Sequence, residues 1–148
     1  MGKDKLRRFA AIKEFKNVFE PVIGEEYEMK GKWRSDFFKN DHPIVLELGC
    51  GKGEYSVGLA EKYPNKNFIG IDLKGARFWR GAKTAVDTGL TNVAFIRTQI
   101  ELINHIFNEN EVDEIWITFP DPQIKYKRTK HRMTNSEFLK LYKKVLKP

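Results

Sequence analysis

The stretch Ile44-Val45-Leu46-Glu47-Leu48-Gly49-Cys50-Gly51-Lys52-Gly53-Glu54 decides how the rest of the chain is read. It opens as an apolar run with β-branched residues, the signature of a buried strand, and breaks at Gly49 into glycines at every second position. Glycine has no Cβ and tolerates positive φ, so the backbone here can turn sharply and a ligand can come close to it. A helical pattern follows, with Ser56, Leu59, Ala60 and Tyr63 on one face. Strand, glycine turn and helix in succession form the architecture of a nucleotide-type cofactor site.

Outward from this stretch the pattern is regular from Asp41-His42-Pro43 onward. Strands are expected over 44–48, 67–72, 92–97 and 112–119. Helices are expected over 53–63, 75–87 with Gly89 as the stop, and, more briefly, 101–107. A final helix presents Phe138, Leu141, Tyr142, Val145 and Leu146 on one face, with Asn135 or Ser136 as its cap. Strands and helices alternating at this length predict right-handed crossovers and a doubly wound, mostly parallel α/β sheet. Residues 1–41 are too few for a core of their own and are read as a basic N-terminal extension of the 42–148 domain. Within them Leu6, Phe9, Ile12, Phe15 and Phe19 are spaced as in a short amphipathic helix, or an arm that orders on contact. Trp33, Phe37 and Phe38 are expected to pack as a short helix onto the core. The chain closes on Leu146-Lys147-Pro148, where a helix end normally leads into another strand. Four strands and an uncovered last helix make a thin sheet, so the expectation is a fold truncated after its fourth strand, with further strands beyond Pro148.

Composition narrows the classes. No apolar run approaches the about 18 residues of a membrane span, and the basic N-terminus lacks the apolar core of a signal peptide. The single cysteine, Cys50, excludes an internal disulfide framework and fits a reducing, cytoplasmic setting; its place in the glycine turn reads as a small space-filling side chain. The net charge of +7 is unevenly spread. Residues 1–17 carry six Lys/Arg against two acids, and 18–41 carry four against six. Residues 42–122 carry eight against eleven, and 123–148 carry nine against one. An acidic core flanked by basic ends is the footprint of a polyanionic partner, and equally of two solvated basic faces.

The glycine spacing chooses among cofactors. A dinucleotide site wants G-x-G-x-x-G, whereas Gly49, Gly51 and Gly53 alternate and Glu47 stands two residues before them. A carboxylate there suits a cationic ligand better than a pyrophosphate. Asp72, closing the next strand, is placed to accept both hydroxyls of an unphosphorylated ribose. Taken singly, Glu47 could be a strand-end ion-pair partner and Asp72 a helix cap. Together they favour S-adenosylmethionine, which carries a ribose, an ammonium and a sulfonium.

The fourth expected strand runs into Pro120-Asp121-Pro122-Gln123-Ile124-Lys125. Ligands of open α/β sheets bind at the carboxyl ends of the strands, which sets Asp121 beside the cofactor. The run Lys125, Lys127, Arg128, Lys130, His131 and Arg132 follows at once and can clamp phosphates, with Tyr126 available to stack on a base. A lone P-D-P would read as a turn; the basic run behind it points to a nucleic acid.

Three segments, Leu46 to Glu54, Gly70 to Arg77 and Phe119-Pro120-Asp121-Pro122, resemble the tRNA (guanine-N7-)-methyltransferase family. The resemblance implies a Rossmann-like methyltransferase fold, S-adenosylmethionine as cofactor and methylation of N7 of a guanine in the tRNA variable loop. It implies cofactor contacts from Glu47, the glycine turn, Asp72, Gln99 and Asp121. Asp121 would stand between cofactor and guanine, and Lys125 would contact the substrate, with Lys127 and Arg128 beside it. Gln99 departs from the acid or Asn common at its position. Guanine N7 carries an exposed lone pair, so its methylation needs no general base, only alignment and a negative environment for the migrating positive charge. His42, His105 and His131 are far apart in sequence and have no cysteine partners, which argues against a metal site. A methyltransferase with another substrate, or an RNA-binding fragment without catalysis, are the competing readings.

Overall fold

The apolar runs become five parallel strands in a computed structural model that describes residues 2–117 and 136–148. They are β1 (Val18–Phe19), β2 (Ile44–Leu48), β3 (Asn67–Asp72), β4 (Val93–Arg97) and β5 (Glu114–Ile117), in the order β1-β4-β3-β2-β5. The chain steps outward from β2 through β3 to β4, then returns to lay β5 on the other side of β2. That reversal is a topological switch point, and a crevice opens there at the carboxyl ends of the strands.

Period-two alternation explains the layers. Along β2, Ile44, Leu46 and Leu48 face one core with Ile69, Ile71 and Ile96 of the neighbouring strands. Val45 faces the other with Phe68, Val93 and Phe95. The second core is covered by α2 (Glu54–Lys62) and α3 (Gly75–Thr88), through Val57, Ala60, Phe78, Ala82 and Ala85. The first is covered by a π-helical turn at Trp33–Phe38, a 3-10 turn at Ile100–His105 and α4 (Ser136–Val145). Both faces are therefore sealed, as a parallel sheet requires. Gly89 ends α3 in the left-handed conformation (φ 73°), with its amide on the carbonyls of Ala85 and Val86.

The N-terminal residues contribute more than the sequence pattern suggests. α1 (Gly2–Ala11) is the expected amphipathic helix, and it lies on α3 with the guanidinium groups of Arg7 and Arg8 at 5.4 and 4.8 Å from the Trp79 ring centre. Ile12, which opens the following 3-10 turn (Ile12–Glu14), is fully buried against the start of α3. Val18 and Phe19 then pair with Phe95 and Ile96, adding a fifth strand to the four expected. Two residues are too short to display alternation. What holds them is pairing, with the Phe95 amide on the Asn17 carbonyl at 2.8 Å and the Asn17 side-chain amide on Ala82 O. Arg97, at the end of β4, bonds Glu20 at 3.2 Å and the Leu73 carbonyl while its guanidinium lies 4.2 Å from the Phe9 ring centre.

The opposite, N-terminal edge of the sheet is pinned by acids. Buried Glu111 accepts the amides of Gly31, Trp33 and Asn108. Asp113 accepts from Arg34, from the Ile44 amide at 2.7 Å and from Lys147. The expected strand at 112–119 begins at Glu114, because Val112 instead bridges Leu146 just after α4. The expected 101–107 helix is the 3-10 turn at Ile100–His105.

Tyr142 of α4 is buried, and burial together with the charge of Glu101 pushes its phenol up from 10 to about 12. The folded state thus prefers the neutral phenol. Between pH 10 and about 12 the unfolded chain loses this proton first, so stability should fall as pH rises through that window. Urea midpoints measured across it should decline in the parent protein and stay flatter in Tyr142→Phe; parallel declines would remove Tyr142 as the cause.

Candidate cofactor site

The glycine turn lies where β2 ends, and its backbone bonds are nearly all internal. The Gly49 and Cys50 amides both donate to the Ile71 carbonyl, at 2.8 and 3.0 Å, which ties the turn to the last residues of β3. Gly51 donates to Asp72 Oδ2 at 2.9 Å and Gly53 to the Cys50 carbonyl at 2.9 Å. Asp72 Oδ1 accepts the Lys74 amide, also at 2.9 Å, so this carboxylate joins the turn to the start of α3. Gly51 (φ 56°) and Gly53 (φ 77°) hold left-handed conformations that a side chain would strain.

In a pyrophosphate-binding turn the amides face the anion. Here those of Gly49, Cys50, Gly51 and Gly53 are committed to the protein, and an acid stands at the turn. Glu47 adds a second one. It is buried, on the α2 side of the sheet, and accepts Ser56 Oγ at 2.6 Å. Burial above all, and then the charges of Asp72 and Glu47, push the Cys50 thiol well above its ordinary range, as befits a space-filling residue.

Beside the turn, at the carboxyl ends of β3 and β4, is a cleft of about 330 Å³ lined by Gly49, Asp72, Leu73, Thr98, Gln99, Ile100 and Glu101. Three of the residues singled out from the sequence, Gly49, Asp72 and Gln99, meet in it. Gly51 reaches it through its bond to Asp72. Glu47 lies beneath the turn with Ser56 and is not part of that cleft's lining. Asp121, Lys125, Lys127 and Arg128, with the rest of the basic run, fall outside the described residues. Among the described residues no group of His, Cys, Asp and Glu could hold a metal ion, and no helix is long and apolar enough to cross a membrane.

Three residues of this site escaped the sequence reading. Glu101 lines the cleft but looks, in sequence, like an ordinary acid in the first turn of a helix. Phe95 looks like any core strand residue, yet its ring is the floor of the turn, 2.6 Å from where a Gly53 Cβ would stand and 2.9 Å from that of Gly70. Gly81 interrupts a good helix, and that was the signal available. Its amide donates to the Lys52 carbonyl at 2.9 Å, and a Cβ on it would stand 2.9 Å from three backbone atoms of Gly53.

Comparison with known proteins places the fold and the family. The family described as "Putative methyltransferase" matches residues 41–148. Among solved structures, the fold superposes on the 16S rRNA (adenine(1408)-N(1))-methyltransferase of Catenulisporales acidiphilia with a TM-score of 0.63, at 18% identity over 80% of this chain and 57% of that one. A SAM dependent methyltransferase from Aquifex aeolicus gives 0.56 at 22% identity, over 94% and 67% of the two chains. The fold is thus that of the Rossmann-like methyltransferases. The tRNA (guanine-N(7)-)-methyltransferase of Christiangramia forsetii is 70% identical over 99% of this chain, and that of Bacteroides thetaiotaomicron 53% identical over all of it. The chain belongs to the tRNA (guanine-N7-)-methyltransferase family, and it spans 67% and 60% of the lengths of these two relatives.

A matched pair of substitutions tests the seating of the turn. Alanine gains roughly 1 kcal/mol over glycine in a helix interior, but overpacking against a fixed backbone costs about 1–3 kcal/mol. Gly58 of α2 has nothing within 4 Å of a built Cβ, whereas Gly81 meets backbone. Gly58→Ala should raise the melting temperature and Gly81→Ala should lower it and weaken cofactor binding. Equal shifts in thermal melts of the two variants would show that the Gly53–Gly81 contact is not a constraint.

Proposed function

We propose that this chain forms the S-adenosylmethionine-binding part of a cytoplasmic enzyme that methylates N7 of a guanine in the variable loop of tRNA. The observation that carries the reading is the cleft at the ends of β3 and β4 that carries Asp72 beside the glycine turn. Each Asp72 oxygen accepts one amide and keeps a lone pair for a ribose hydroxyl. Gln99, half-buried at the same edge, offers both a donor and an acceptor to an adenine edge. Glu47 beneath the turn and Asp72 beside it are two carboxylates that suit a ligand with ammonium and sulfonium groups. The residues present fit that cofactor. When bound, it supplies an electrophilic methyl group.

The protein's own contribution is alignment. β5 closes its described part at Ile117, paired with Leu48 at the mouth of the turn, and Asp121 follows four residues later in sequence. In this proposal Asp121 accepts hydrogen bonds from the guanine and stabilises the positive charge that reaches the purine. No proton is removed from N7, because its lone pair is free. Lys125, Lys127 and Arg128 hold the tRNA phosphates.

Incubation of the full-length protein with tRNA and a methyl-labelled donor, followed by digestion to nucleosides, should give 7-methylguanosine. Asp121→Ala should lower the rate by about a hundredfold or more while leaving the thermal melt unchanged. Label in another nucleoside would reassign the acceptor, and near-normal turnover of the variant would remove Asp121 from the site.

A further inference from the structure

Helix α3 carries cations that the donor cleft does not use. Lys74, Arg77 and Arg80 recur every three residues and are all exposed, so they run as a stripe along the helix and its lead-in over roughly 9 Å. The stripe begins at the turn itself, where Arg77 Nη2 lies 4.0 Å from a built Gly51 Cβ. Exposed Lys52 joins it, because the Gly81 amide on its carbonyl sets this residue beside the helix. Among the described residues, no ion pair engages any of these four side chains. Lys83, one turn further on, is held by Asp87 at 2.6 Å.

The helix packed against this one is also basic. α1 lays Arg7 and Arg8 on Trp79 and leaves Lys3 and Lys5 exposed, with Asp4 as its single acid. Within α1, Arg7 lies 3.7 Å from Asp4. A polyanion laid across the face would be attracted to the cations of both helices and would release its own counterions.

We infer that the α1–α3 face is a phosphate-binding surface for RNA that leads the substrate backbone away from the donor turn. The inference rests on the proposed tRNA methylation and adds a second area of binding to it. The shared chemistry is cationic and sequence-independent, so it reads phosphate position and not bases.

Binding of fluorescent tRNA by the full-length protein, followed by anisotropy over a KCl series, tests it. In Arg77→Gln/Arg80→Gln the slope of log affinity against log salt should become shallower by about 0.9 for each phosphate that is no longer neutralised. Arg77→Lys/Arg80→Lys keeps the charge and should keep the slope, and both side chains are exposed, so thermal melts should match. A parent protein that binds tRNA with a slope unchanged in the Gln pair would overturn this inference alone. A slope that flattens equally in the Lys pair would also overturn it, since charge would then not be the cause. A parent protein that does not bind tRNA would overturn it together with the proposed function.

Discussion

The two oxygens of Asp72 hold the site together. One accepts the Gly51 amide and the other the Lys74 amide, so a single carboxylate joins the glycine turn, the end of β3 and the entry to α3. Hydrogen bonds to a charged acceptor contribute about 1.5–3 kcal/mol each, enough to fix a loop whose glycines would otherwise leave it mobile. The same bonds use up amides that a phosphate would need. The turn is therefore closed on a carboxylate where a dinucleotide turn presents its amides to an anion.

Around that clamp the packing leaves little freedom. Phe95 fills the space under Gly53 and Gly70, and stacks on Phe78 at 5.5 Å, while Gly81 lets α3 approach the turn to backbone contact. Glycines meeting across an interface transmit position without slack, since neither has a side chain that can yield. Arg97 extends the linkage outward, from the Leu73 carbonyl at the cleft to Glu20 and Phe9 in the N-terminal residues. The cleft that carries Asp72 and the basic helices α1 and α3 are thus parts of one packed unit.

The strands 44–48 and 67–72, the Gly89 stop and the buried face of α4 were legible in the sequence because their periodicity is local. The proposed cofactor rests on equally local features, since Glu47, the alternating glycines and Asp72 stand at fixed offsets from strand ends. Val18–Phe19 was not, since a two-residue strand has no period and exists by virtue of Phe95 and Ile96. Nor were Phe95, Gly81 and Glu101, whose roles come from residues distant in sequence, or from a cleft that exists only once β3 and β4 are paired. Asp121 and the basic run, on which the proposed methyl acceptor rests, lie outside the described residues.

Asp72 has two proposed duties, clamping the turn and receiving the ribose of a cationic nucleoside. Calorimetric titration of the protein and of Asp72→Asn with S-adenosylhomocysteine tests the second most directly. The parent protein should bind one-to-one, the variant about tenfold or more weakly, and NAD should give no heat of binding. Equal affinity in both proteins, or preferential binding of NAD, would contradict that role.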